Sequence, residues 1–163
     1  MILLVGPKGV GKTWVAEILS STLGVAYVDA DLLILELQGA GHQPDPEFGW
    51  LIPVERAVCA ALTGSESISV EATGAWNSDY QLAQDLEEVG HRVIRVLLKA
   101  PEETTIARLI ARPPNKVPVS ETDARSIYAK STARAASERW DLEVDLFGEK
   151  NPGRIAELLR ALI

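Results

Sequence analysis

Residues 1 to 5 are apolar throughout, the pattern of a central parallel strand covered on both faces. After a Gly-rich stretch, Val15, Ile18, Leu19 and Leu23 recur at helical spacing, and Gly24 stands where a C-terminal cap belongs. Val25 to Val28 reads as a second strand leading into Asp29 and Asp31, and Gly39 to Trp50 is Gly- and Pro-rich, an excursion between elements. Pro53 opens a helix through Val54, Ala57, Val58, Ala61 and Leu62. Ser67 to Ala72 forms a third strand with Glu71 at its end, Leu82 to Val89 is helical with Gly90 as its stop, and Arg92 to Leu98 is a fourth strand. Pro101 starts a helix through Ile106, Leu109 and Ile110. Three prolines in "RPPNKVPVS" then forbid regular helix over 112–120. Ser120 and Asp123 resemble a capping box for a helix to about Arg139. Leu142 to Leu146 is a fifth strand. Asn151 and Pro152 supply an N-cap and first helical residue for the amphipathic run Ile155, Leu158, Leu159, Leu162. Five strands alternating with helices over short connections predict an α/β domain: a three-layer α/β/α sandwich on a five-stranded parallel sheet.

The chain's 163 residues are the size of one domain with one continuous core, and no linker-like tract divides residues 1–163. A net charge of −7 argues against a phosphate-backbone partner, so no nucleic acid is expected. The single Cys59, in the setting Ala57, Val58, Ala60, Ala61, reads as a buried reduced thiol, which favours a reducing cytoplasm. The N-terminal apolar run is too short for a secretory signal or a membrane span, so a soluble protein with no membrane partner is expected. His42 and His91 are isolated and lack metal-ligand spacing.

The chemistry concentrates in "GPKGVGKT", residues 6 to 13, which fits G-x-x-x-x-G-K-[ST] through Gly6, Gly11, Lys12 and Thr13. Glycines, Gly9 among them, let consecutive backbone N–H groups turn inward as an anion nest around Val10, and the following helix adds its positive end. Lys12 is expected to reach the β- and γ-phosphates, and the Thr13 hydroxyl to hold Mg²⁺. A guanine-reading N-K-x-D is missing: "NKVP" at 115–118 has Pro118 where the Asp belongs. A large ATPase would carry further domains, and the nearest counterpart of its metal-holding strand end is "ISVE", 68–71. A compact phosphotransferase fits better. Open parallel sheets of this class bind ligands outside the carboxyl ends of the strands, where Asp29, Asp31 and Glu71 fall.

The chain resembles the shikimate-kinase-like group of small P-loop kinases over almost its whole length. The resemblance rests on the phosphate loop, "VDAD" at 28–31, "ARLIARPPNK" ahead of a short lid at about 112–121, and "DLFGEKNPGRIAELL" at 145–159. It implies a P-loop NTPase fold of shikimate/adenylate kinase type, ATP as donor and Mg²⁺ as metal. It also implies Asn151 and Pro152 at the adenine base, with Arg108 or Arg112 covering the other face. Of the D-x-D pair, it implies Asp31 at the acceptor hydroxyl and Asp29 in support of Mg²⁺.

The departures bear on the acceptor. The carboxylate-binding F-R pair of shikimate kinases aligns with Trp50 and Leu51, the G-G-G after their third strand is replaced by "EATG", and 72–80 contains no Arg. Glu71, Asp31, Trp50 and Trp76 stand there instead. Carboxylates accept hydrogen bonds from hydroxyl and ammonium groups, and tryptophans suit the apolar face of a sugar or base. A neutral or cationic hydroxylated acceptor is therefore expected, bound near the excursion at about 39–52. Arg112 and Lys116 would close over the transferring group, and Arg134 could point back to it, although a solvated helix face is the ordinary place for Arg134. Trp14 reads as packed core. The competing readings are a nucleotide-binding regulatory module without transfer, shikimate kinase proper, and a polynucleotide end kinase, which the acidic balance disfavours.

Overall fold

Four consecutive apolar residues form β1 (Ile2–Val5), and in the computed structural model, which describes residues 1–46, 49–111 and 119–163, all four are buried. Ile2 and Leu4 enter the core beneath one face of the sheet and Leu3 and Val5 the core beneath the other. Leu3 and Leu4 have no exposed surface, a burial that contributes roughly 1.5–3 kcal/mol for each. The chain continues through α1 (Lys12–Leu23), β2 (Ala26–Val28), α2 (Ala30–Gly39), α3 (Leu51–Gly64), β3 (Ile68–Ala72), α4 (Asn77–Glu88), β4 (Ile94–Lys99), α5 (Glu102–Ile110), α6 (Glu121–Ala135), β5 (Leu142–Asp145) and α7 (Pro152–Arg160). Strand order is β2-β3-β1-β4-β5, with every pairing parallel. The expected three-layer sandwich is therefore present. Its first core packs α1 and α7 on the sheet, and its second packs α3 and α4 on the opposite face.

The topology decides where chemistry happens. From β1 the chain fills one side of the sheet with β2 and β3, then crosses to the other side for β4 and β5. The loop leaving β1 thus lies at the point where the strand order reverses, above the carboxyl ends.

Several elements differ from the sequence pattern. Residues Ala30 to Gly39 form α2, which the pattern leaves unassigned, and none of its residues is fully buried. Helix α4 begins at Asn77 rather than Leu82, because Asp79 accepts the Trp76 backbone N–H at 3.2 Å and closes the first turn. Helix α6 stops at Ala135 rather than near Arg139. There Ser137 N–H bonds Arg134 O at 3.0 Å, and the Trp140 indole N–H takes Ala135 O at 2.9 Å, consuming carbonyls that would extend the helix. Cys59 is exposed, not buried. Val58 takes the sheet-facing position of α3 with no exposed surface, and one residue further along a helix points away from it. Gly24 does cap α1, at φ +68°, its N–H reaching Leu19 and Ser20 carbonyls. Among the described residues no helix is long and apolar enough to cross a membrane.

Candidate active site

Residues 6 to 11 turn directly from β1 into α1, so the helix N-terminus faces the ligand space above the sheet. Gly9 has φ +89°, and a Cβ added there would lie 2.3 Å from the Thr105 carbonyl oxygen on α5. Only glycine meets both demands. Gly9→Ala is expected to destabilise the protein by about 3 kcal/mol or more. Calorimetry should read this as a Tm loss of roughly 6–12 °C together with lost nucleotide binding, and a variant within about 1 °C of wild type would contradict it.

Lys12 is the first residue of α1 and is 6% exposed. Its Nζ donates to Gly6 O at 2.7 Å and Pro7 O at 3.2 Å, across the loop it belongs to. Burial pushes its ammonium below the ordinary lysine value, against the opposing influence of Glu71 and Asp31. A desolvated cation held inside a ring of backbone groups is built to meet a polyanion. Val10 is fully buried, and its carbonyl accepts from Arg108 Nη1 at 3.0 Å, while Arg108 Nη2 reaches Leu146 O at 3.5 Å. Arg108 thereby joins the phosphate loop to the segment that follows β5.

The end of β3 carries the second half of the site. Thr13 Oγ1 donates to Glu71 Oε1 at 3.1 Å, and the Tyr27 hydroxyl donates to the same oxygen. Tyr27 pairs with Ser69 in the parallel register, two residues before Glu71, so the two side chains rise from one face of the sheet. Burial and the adjacent carboxylate push the Tyr27 hydroxyl far above the usual tyrosine range, so it remains a hydrogen-bond donor. Asp29 caps α2, its Oδ1 accepting from Leu32 N–H at 3.0 Å. The structure therefore pairs Thr13 with Glu71, and Asp29 with a helix terminus. Asp31, in the first turn of α2, lies 3.7 Å from Lys8 Nζ.

Two cavities open here. One, about 280 Å³, is lined by Gly9, Gly11, Lys12, Thr13, Trp14 and Arg108. The other, about 830 Å³, is lined by Trp50 at the start of α3, Trp76 at the start of α4, and the carboxylates of Asp45 and Asp79. They share Lys8, Asp31 and Glu71. Asp31, Glu71, Trp50 and Trp76 are thus brought together around one space, against the phosphate loop. Trp76 is half exposed, with Lys130 Nζ 4.6 Å from its ring centre.

Other sequence-derived candidates stand elsewhere. Asn151 and Pro152 start α7, with Asn151 Oδ1 accepting from Gly153 and Arg154 N–H, and neither lines the two cavities. Arg134 hydrogen-bonds Asn77, covers the Tyr80 ring at 4.3 Å and lies 3.6 Å from Glu138, and it lines neither cavity. Arg112 and Lys116 fall outside the described residues, as does the 112–118 part of the lid expected at about 112–121. Trp14 is packed against the first core and also lines the smaller cavity. Tyr27 and Lys8 join the site without being among the candidates that the sequence pattern marks. The signal for Tyr27 was a polar-tipped aromatic two residues before Asp29, in a strand otherwise apolar.

A magnesium–nucleotide fits the residues present. The Thr13 hydroxyl and Glu71 carboxylate offer hard oxygen donors at the mouth of an anion-binding loop. Among the described residues no group of three or more His, Cys, Asp and Glu side chains could hold a metal by itself. Such an oxygen pair suits a cation that arrives bound to phosphates.

The AAA domain family matches residues 1–134. A shikimate kinase from Psychrobacter cryohalolentis is 33% identical over 111 residues, covering 66% of this chain and 58% of that enzyme, so the match spans less than two thirds of the relative's length. The shikimate kinase of Acinetobacter baumannii, solved in complex with shikimate, superposes with a TM-score of 0.59 at 23% identity over 99% of this chain and 89% of that one. A gluconokinase from Sinorhizobium meliloti gives 0.63 at 18% identity over 96% and 86%. The fold is that of P-loop kinases such as shikimate kinase.

Proposed function

We propose that this chain, which belongs to the AAA domain family, is an ATP-dependent small-molecule kinase that transfers the γ-phosphate to a hydroxyl of a neutral or cationic acceptor. One observation carries the reading: the phosphate-loop cavity and a second, larger cavity meet at Asp31 and Glu71. A regulatory nucleotide binder has no need of the second space. Its described lining holds the carboxylates Asp31, Asp45, Glu71 and Asp79 against the single cation Lys8, which disfavours an anionic acceptor such as shikimate.

In this reading the loop amides and Lys12 grip the β- and γ-phosphates. Thr13 would ligate Mg²⁺ through an oxygen lone pair while its hydroxyl proton stays on Oγ1 and is donated to Glu71, since a hydroxyl both donates and accepts. When bound, Mg²⁺ neutralises charge on the β- and γ-oxygens. Tyr27 fixes the Glu71 carboxylate by holding the same oxygen. Asp31 accepts the proton of the acceptor hydroxyl as its oxygen bonds to γ-phosphorus, and the bond from phosphorus to the β–γ bridging oxygen breaks to leave ADP. Trp50 and Trp76 flank the acceptor with apolar faces. The test is ADP production from ATP and Mg²⁺ across a library of alcohols, polyols, nucleosides and amino alcohols. A kinase gives ADP only with particular pools. Turnover that no pool changes would sink the proposal.

A further inference from the structure

Lys8 occupies a wildcard position of the phosphate loop, where the motif itself demands no charge. Its side chain is nonetheless only 16% exposed, and its ammonium lies 3.7 Å from the Asp31 carboxylate, itself 20% exposed. Three cations line the smaller cavity among the described residues: Lys8, Lys12 and Arg108. Lys12 donates to the Gly6 and Pro7 carbonyls, and Arg108 to those of Val10 and Leu146. Lys8 alone also lines the larger cavity, and its ion-pair partner there is the carboxylate assigned to the acceptor.

In-line transfer places the entering and leaving oxygens on opposite sides of the γ-phosphorus. Lys12, rooted under the loop, serves the leaving side. The entering side lies where the two cavities join, and Lys8 is the described cation at that junction. We propose that Lys8 is a further catalytic residue: its ammonium contacts the γ-phosphoryl oxygens on the entering side while holding Asp31 against the acceptor hydroxyl. The inference rests on the kinase reading above. No extra reactant is needed, because Lys8 keeps its proton throughout. It compensates charge on the oxygens of the moving group, and the acceptor proton goes to Asp31. A compact ammonium suits this place, since it can meet a phosphate oxygen and a carboxylate oxygen with separate N–H groups.

The experiment compares wild type, Lys8→Ala and Lys8→Arg for calorimetric affinity toward MgADP and toward the magnesium complex of the imido-bridged, non-hydrolysable ATP analogue. Lys8→Ala is expected to lose about tenfold in affinity for the triphosphate analogue while ADP affinity stays within about twofold, and Lys8→Arg to recover most of the loss. A lysine that merely anchors α2 through Asp31 would lower Tm and leave the ratio of the two affinities unchanged. That result, or an equal fall for both nucleotides, overturns the proposal. The readout needs no acceptor, so a failed acceptor screen tells against the kinase reading while these affinities still decide the role of Lys8.

Discussion

Lys12→Met should abolish transfer, lowering kcat/KM for ATP by about 10³-fold or more, because one preorganised charge on a transferring phosphoryl commonly supplies that much. Lys12 is nearly fully buried, and the cost of stripping water from its ammonium is already met in the fold, with two backbone carbonyls holding it ready. Phosphate oxygens therefore gain a desolvated charge that needs little rearrangement. Methionine is close to lysine in length and keeps an unbranched apolar stem, so circular dichroism should be unchanged and Tm should stay within roughly 5 °C. Nucleotide affinity, read by titration calorimetry, should fall in parallel with turnover. Near-normal turnover in this variant would remove the phosphate loop from the mechanism.

Asp31→Asn should act on the other half of the site. The amide preserves size but cannot take the acceptor proton, and it no longer pairs with Lys8. The expected loss in kcat is about 10²–10⁴-fold, the usual worth of a positioned base, with MgATP affinity within about threefold of wild type. This split between catalysis and donor binding separates Asp31 from Lys12. It also separates Asp31 from Asp29, whose carboxylate caps α2 and whose replacement by alanine should cost about 1 kcal/mol of stability. Steady-state kinetics on the acceptor found by screening decides the matter. A kcat within threefold of wild type for Asp31→Asn would remove it as the base.

The elements that the sequence made legible are those with a strong period or a strong punctuator. β1 is continuous apolar residue, α1 ends on a glycine, and α7 opens on Asn-Pro, and all three stand where the pattern put them. Helix α2 escaped because the consecutive apolar run Leu32 to Leu35 masks the helical stripe of Ala30, Leu33, Ile34 and Leu37. Cys59 went wrong by one step of helical phase, a shift that turns a side chain by about 100°.

The site divides along the same line. The phosphate loop is local in sequence, so its motif could be read directly. The Tyr27–Glu71–Thr13 cluster joins β2, β3 and α1, and only the strand register sets which residues meet. Lys8 was hidden inside the motif, at a position whose identity the loop's own geometry leaves open. Asn151 was legible as a helix start, and that is where its side chain is spent.

The central claim is that the phosphate leaving the loop moves to an organic hydroxyl rather than to water. The most direct measurement follows label from γ-³²P-ATP with Mg²⁺ and a pool of alcohols and amino alcohols, separating products by charge. Transfer to a hydroxyl puts label in a new organic phosphate, dependent on the pool and lost in Asp31→Asn. Label recovered only as inorganic phosphate, at a rate no pool alters, would contradict it.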